Sequence, residues 1–188
     1  MMVSRAEVYD LLTRHLKDER MIKHCIATEA IMRALAKKLG ENEGMWGLVG
    51  LLHDIDYDYV GRDPLKHGLG ALELLKGVLP DHALEAIAMH NDRNGFRSPS
   101  EAAVRLSHAL RASDHLSGLI VATALVMPGK RLSEVKVESV MKKFKAKDFA
   151  RNIDRNRILE IEKLGLSLED FLSVGLEALN GVAGELGL

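Results

Sequence analysis

Along most of the chain, apolar residues return every three to four positions, the spacing of one face of a helix, and no convincing strand-type alternation appears. Residues 20–39 illustrate the pattern. Ile31 and Leu35 fall on one side, and Glu29, Arg33 and Lys37 fall on the other. Punctuation then sets the helix ends. Ser4-Arg5-Ala6-Glu7 and Ser98-Pro99-Ser100-Glu101 read as capping boxes, with Pro99 at a first helical position where its missing N–H costs nothing. Asp63-Pro64 repeats the device, Ser133 and Ser167 read as further N-caps, and Gly40 and Gly165 read as C-terminal stops.

These marks predict helices over about residues 4–17, 20–39, 44–55, 64–77, 80–91, 99–127, 133–143, 147–164 and 168–186. The expected fold class is all-α. Residues 1–188 read as one domain, with a helical bundle core over about 20–125 and additional helices over about 130–188. The turn Pro128-Gly129-Lys130-Arg131-Leu132 separates the two parts. Segments 56–63 and 92–98 are polar, contain glycine and directly follow histidine-bearing helices, which marks them as the loops expected to carry function.

Composition narrows this picture. A chain of 188 residues, 47% apolar and 28% charged, suits a single domain with a sizeable core. Aromatic residues make up 4%, so that core is expected to be aliphatic. The formal net charge of −1 argues against a nucleic-acid polymer as partner, yet leaves room for a small phosphorylated ligand held by a few cations. Cys25 is the sole cysteine, which excludes an intramolecular disulfide and points to a reducing compartment. The first ten residues lack the apolar stretch of a signal peptide, and no apolar run approaches a membrane span. The expectation is a soluble cytoplasmic protein with no membrane partner; no feature selects an oligomeric state.

Candidate chemistry lies in the eight histidines, which helical phase sorts into two groups. His24 shares a face with Ile31 and Leu35, His67 with Ala71 and Leu74, and His90 with Ala83 and Ile87. His53 and Asp54 close the apolar run Val49-Gly50-Leu51-Leu52. Asp114 faces inward with Leu110, Ser117 and Val121, where a carboxylate requires a compensating partner. An ion pair with Arg111, one turn away, is one explanation. A metal ion gathered from several inward helices is the other, and mixed imidazole and carboxylate donors suit Mn, Fe, Co or Zn, with Mg also possible. His15, His82, His108 and His115 have no comparable placement. Cys25 lies about 100° from His24 and reads as a small buried hydrophobe.

The order His24, His53-Asp54, Asp114 on an all-α chain resembles the HD superfamily of metal-dependent phosphohydrolases. Leu51-Leu52-His53-Asp54-Ile55-Asp56 is similar to that family's leucine-leucine-histidine-aspartate-isoleucine-glycine signature, and Ala112 to Leu119 resembles its last ligand-bearing helix. The likeness covers about residues 20–125. It implies that His24, His53, Asp54 and Asp114 hold a first metal. It also implies that His67 and His90 hold a second, with Asp54 bridging, so that one or two ions are expected. Two departures stand out. Asp56 and Tyr57 replace the glycine and lysine found in many members. Asn91 to Phe96 is only a distant echo of the long glycine-tyrosine-proline signature of cyclic di-GMP phosphodiesterases, so that substrate is not expected.

The implied activity is hydrolysis of a small phosphate ester or nucleotide by a metal-activated water. Lys66 and Arg93 read as candidate phosphate clamps and Asp58 as a candidate general acid or base, each against the alternative of an ordinary surface charge. Asp54 carries the largest expected role. Two other classes compete. The six-ligand order also resembles the mixed-valence di-iron oxygenases, and a metal-containing ligand-binding module without turnover would use the same scaffold.

Overall fold

A computed structural model describes residues 4–188. Among them lie ten α-helices and no strand: α1 (Arg5–His15), α2 (Glu19–Leu39), α3 (Glu43–Leu52), α4 (Leu69–Leu74), α5 (Asp81–Met89), α6 (Glu101–Leu125), α7 (Val137–Lys145), α8 (Arg155–Leu159), α9 (Leu168–Gly181) and α10 (Ala183–Leu186). Short 3₁₀ turns cover Asp92–Asn94, Leu132–Glu134 and Glu160–Leu164. The all-α expectation holds. Among the described residues, no helix is long and apolar enough to cross a membrane.

Several ends fall where the punctuation placed them. Ser4 and Glu7 form the expected capping box. Ser167 caps α9, and Gly40 closes α2 in the left-handed conformation at φ 72°. Other ends moved. The cap of α6 is Ser100, not Ser98, whose hydroxyl instead donates to Glu85 and accepts the Ser100 amide. Ser133 lies inside a 3₁₀ turn, and α7 starts at Val137 without a side-chain cap. The tail helix is interrupted at Val182.

The largest correction concerns residues 64–77. Only Leu69–Leu74 is α-helical. Asp56 accepts the Gly68 amide at 2.7 Å, Asn91 donates to the carbonyls of Pro64 and His67, and Asn94 donates to that of His67. Three side chains thus take backbone groups that a helix would satisfy internally. Gly68, at φ 90°, supplies the break. Residues 147–152 are likewise turns, because Arg155 donates to carbonyls of the preceding segment, among them Phe149, Ala150 and Ile153.

The core is aliphatic, built from residues such as Leu12, Ile31, Leu35, Leu51, Leu52, Ile87, Leu110 and Leu116, with Phe171 fully buried from α9. The long helix α6 is central and meets α2, α5, α7, α8 and α9. Helices α2 and α3 lie in intimate contact at Gly50. A Cβ there would sit 2.9 Å from the Thr28 carbonyl oxygen and 3.0 Å from the Glu29 backbone. This approach places the end of α3, with His53 and Asp54, against the first half of α2, with His24. Gly50→Ala is therefore expected to cost about 1–3 kcal/mol through overpacking against immovable backbone. Urea denaturation measures it, and an unchanged midpoint would contradict the close approach.

A buried ion cluster joins the 160–164 turn to α6. Glu160, 7% exposed, receives hydrogen bonds from Arg111, and His108 and Arg157 face the same carboxylate. Burial by itself raises its pKa, but the bonds from Arg111, His108 and Arg157 outweigh burial and lower it from 4.5 to about 2. A carboxylate with a depressed folded-state pKa stabilises the fold above its unfolded value, and that contribution fades as pH falls toward the folded value. The difference between 4.5 and about 2 corresponds to on the order of 3 kcal/mol. Wild type should therefore exceed Glu160→Gln in stability at pH 6, and the gap should close between pH 4.5 and 2. Chemical denaturation across that range tests it; a pH-independent gap would count against the depressed carboxylate.

Candidate metal centre

Four imidazoles converge in the space between α2, the end of α3, the loop before α4 and the end of α5. Each has its Nδ1 edge engaged by the protein. His53 Nδ1 bonds the Gly50 carbonyl at 2.8 Å, and His90 Nδ1 bonds the Ile87 carbonyl at 2.6 Å. His67 Nδ1 meets Asp56 Oδ1 at 2.8 Å, and His24 Nδ1 meets Ser117 Oγ at 3.2 Å. Every Nε2 is thereby turned toward Asp54, and those of His24 and His53 toward Asp114 as well. Fixing one ring nitrogen to orient the other is how proteins prepare imidazole ligands.

Asp54 stands between two pairs of rings. Its Oδ2 lies 3.3 Å from His53 Nε2 and 3.7 Å from His24 Nε2. Its Oδ1 lies 3.1 Å from His67 Nε2 and 3.5 Å from His90 Nε2. Asp114 Oδ1 completes the first pair, 2.9 Å from His24 Nε2 and 3.9 Å from His53 Nε2. Two groups result whose donor atoms all lie within 4.8 Å of one another: His24, His53 and Asp114, and Asp54, His67 and His90. His53 is sealed from solvent, whereas His24 and Asp114 are 25% and 22% exposed, so the centre opens on their side.

The electrostatics match a cation site. Burial disfavours the charged form of His53, but the Asp54 and Asp114 carboxylates outweigh it and raise the ring to about 9. Burial is likewise overcome at His67, where Asp54 and Asp56 raise the ring to about 10. Asp54 is held well below the ordinary carboxylate range by the surrounding histidines despite its burial. Asp114 is lowered in the same way, through His24 and His53. The residues present fit a metal ion. His53 Nε2 is buried and makes no hydrogen bond, although it faces a carboxylate, and a ring nitrogen left without a partner suits coordination of a cation that would displace any proton on it.

The structure thus brings together all six residues singled out as metal-ligand candidates. The alternative for Asp114 fails, since Arg111 turns to Glu160 and the Met89 carbonyl instead. Asp58, Lys66 and Arg93 are not among the converging groups. The Asp58 carboxylate is engaged by Arg62 and by the Lys17 amide. Lys66 is 69% exposed beside Asp63, and Arg93 is exposed in a 3₁₀ turn.

Three features escaped the sequence reading. Asp56, fully buried, orients His67; its position beside the His-Asp doublet was the available signal. Asn91 and Asn94 hold the His67 carbonyl, through side chains whose targets are distant in sequence. Cys25, read as pointing away, is buried as expected but brings its sulfur within 4.8 Å of donor atoms of His53 and Asp54. Its thiol is pushed well up by burial and then by Asp54 and Asp114, so it stays protonated.

The all-α bundle encloses histidines and carboxylates positioned so that they could hold a metal ion. The family model for the HD domain matches residues 21–121, a span that contains all six converging residues, and the chain belongs to the HD domain family. No curated protein and no solved structure matches it.

Proposed function

We propose that the protein is a metal-dependent phosphohydrolase acting on a small phosphate ester or nucleotide. His24, His53 and Asp114 would hold one divalent transition ion, Mn, Fe, Co or Zn; His67 and His90 would hold a second, with Asp54 shared between them. The observation that carries this reading is the division of Asp54, one oxygen facing each histidine pair. Divalent ions in such a site supply Lewis acidity, acidifying a coordinated water and offsetting charge on phosphate oxygens.

The chain's own residues prepare this chemistry. Gly50, Ile87, Asp56 and Ser117 orient the four imidazoles through Nδ1. Leu52, Ile55 and Ile87, close in sequence to His53, Asp54 and His90, are fully buried, and low-dielectric surroundings strengthen electrostatic interactions. Asn91 and Asn94 tie the loop carrying Lys66 to the loop carrying Arg93 beside His67 and His90. Lys66 and Arg93 are both exposed and would meet an anionic substrate only by moving toward the centre, as Asp58 would through movement of its loop.

The test is elemental analysis of the purified protein followed by a phosphatase and phosphodiesterase panel with Mn, Fe, Co and Zn. Phosphate release independent of oxygen is expected. Turnover by an iron-loaded form that consumes oxygen would replace this reading with the di-iron oxygenase class, which needs the same six residues. Bound metal without turnover would favour a ligand-binding module.

A further inference from the structure

We propose that Glu160, outside the matched residues 21–121, is a positioning residue for His90. His90 sits at the C-terminal end of α5, where backbone carbonyls lack helical partners. The Met89 carbonyl, immediately before it, accepts from Arg111 Nη1 at 3.0 Å. Arg111 is itself aimed by Glu160, whose Oε2 accepts from Arg111 Nε at 2.9 Å and from Nη2 at 2.7 Å. On the other side of His90, Asp92 pairs with Arg157, and Arg157 also holds Glu160 Oε1. One buried carboxylate therefore supports both flanks of His90, through the Met89 backbone carbonyl before it and the Asp92 side chain two residues after it.

The geometry implies more than general stability. Arg111 and Glu160 are nearly sealed from solvent, and their planar pairing is directional. The His90 ring is also fixed to the Ile87 carbonyl one turn back. Its Nε2 therefore moves with the chain that Arg111 holds at the Met89 carbonyl and Arg157 holds at the Asp92 side chain. His90 Nε2 lies 3.1 Å from His67 Nε2 and 3.5 Å from Asp54 Oδ1, so a shift of a few tenths of an ångström alters that donor group while leaving His24 and Asp114 in place. The C-terminal helices thereby take part in building the centre. The metal consequence rests on the two-ion reading above; the positioning itself does not.

Two measurements test this. In metal-free protein, NMR signals of the His90 imidazole should shift between wild type and Glu160→Gln, while those of His24 and His53 stay. In a Mn titration, Glu160→Gln should weaken the second binding event by about 10–100-fold, the scale of lost outer-shell support, and leave the tighter event within about 2-fold. Asp92→Ala and Arg157→Met, at the exposed end of the network, should weaken it less. These variants also carry the test if Glu160→Gln fails to fold. Folded variants with unmoved His90 signals would overturn the proposal and leave Glu160 a purely structural residue. Wild type that binds one ion and never two would remove the two-ion function, and the metal-free NMR comparison would still decide the positioning.

Discussion

Asp54→Ala is expected to abolish bound metal and activity together while leaving the helical signal largely intact. Asp54 is the carboxylate whose two oxygens face the two halves of the centre. Its Oδ2 faces His24 and His53, and its Oδ1 faces His67 and His90. Its loss leaves the first group one carboxylate and the second none. Outer-shell changes alone cost 10–100-fold in metal affinity, so removing the shared carboxylate should cost at least about 100-fold at each ion. The fold should tolerate the change, because Asp54 lies at the end of α3, beyond its last helical residue Leu52, and its removal also relieves a buried charge. Elemental analysis and circular dichroism on one preparation separate the two effects. Full metal content in folded Asp54→Ala protein would sink the proposed centre.

The double change His67→Ala with His90→Ala is expected to delete the second ion and spare the first. The two rings contact each other through Nε2 at 3.1 Å and share Asp54 Oδ1, while the first group of His24, His53 and Asp114 contains neither. A second ion held by two imidazoles and a shared carboxylate has fewer protein donors than the first, so it should bind more weakly and leave first in purification. Titration calorimetry with Mn should show two events in wild type and one in the variant, the surviving event within about 3-fold of its original affinity on the usual independence of separated sites. If saturated wild-type protein shows a single ion, the two histidines belong to the substrate pocket. The di-iron oxygenase class would then fall with the second site.

Much of this centre could be read from one dimension. His24 and Asp114 lie on helices and His90 directly follows one, so a period of 3.6 converts sequence position into direction, and the hydrophobic residues beside them mark that direction as inward. The His-Asp doublet was legible because it ends an apolar run. His67 was assigned to an inward helical face, yet it stands in the turns before α4, and it reaches the centre through Asp56, Asn91 and Asn94 rather than through helical phase.

By itself the sequence determined the all-α class, the main helices and the inward donors, because local hydrogen bonding and amphipathic period are set by neighbours a few residues apart. Only the tertiary structure decided which partner each polar group takes. Asp114 meets His24 rather than Arg111, Arg111 meets Glu160 from 49 residues away, and the Gly68 amide meets Asp56 instead of extending a helix. Those choices depend on which side chains packing leaves within 3 Å of each other in a dry interior. There an unpaired charge is costly enough to override local preference.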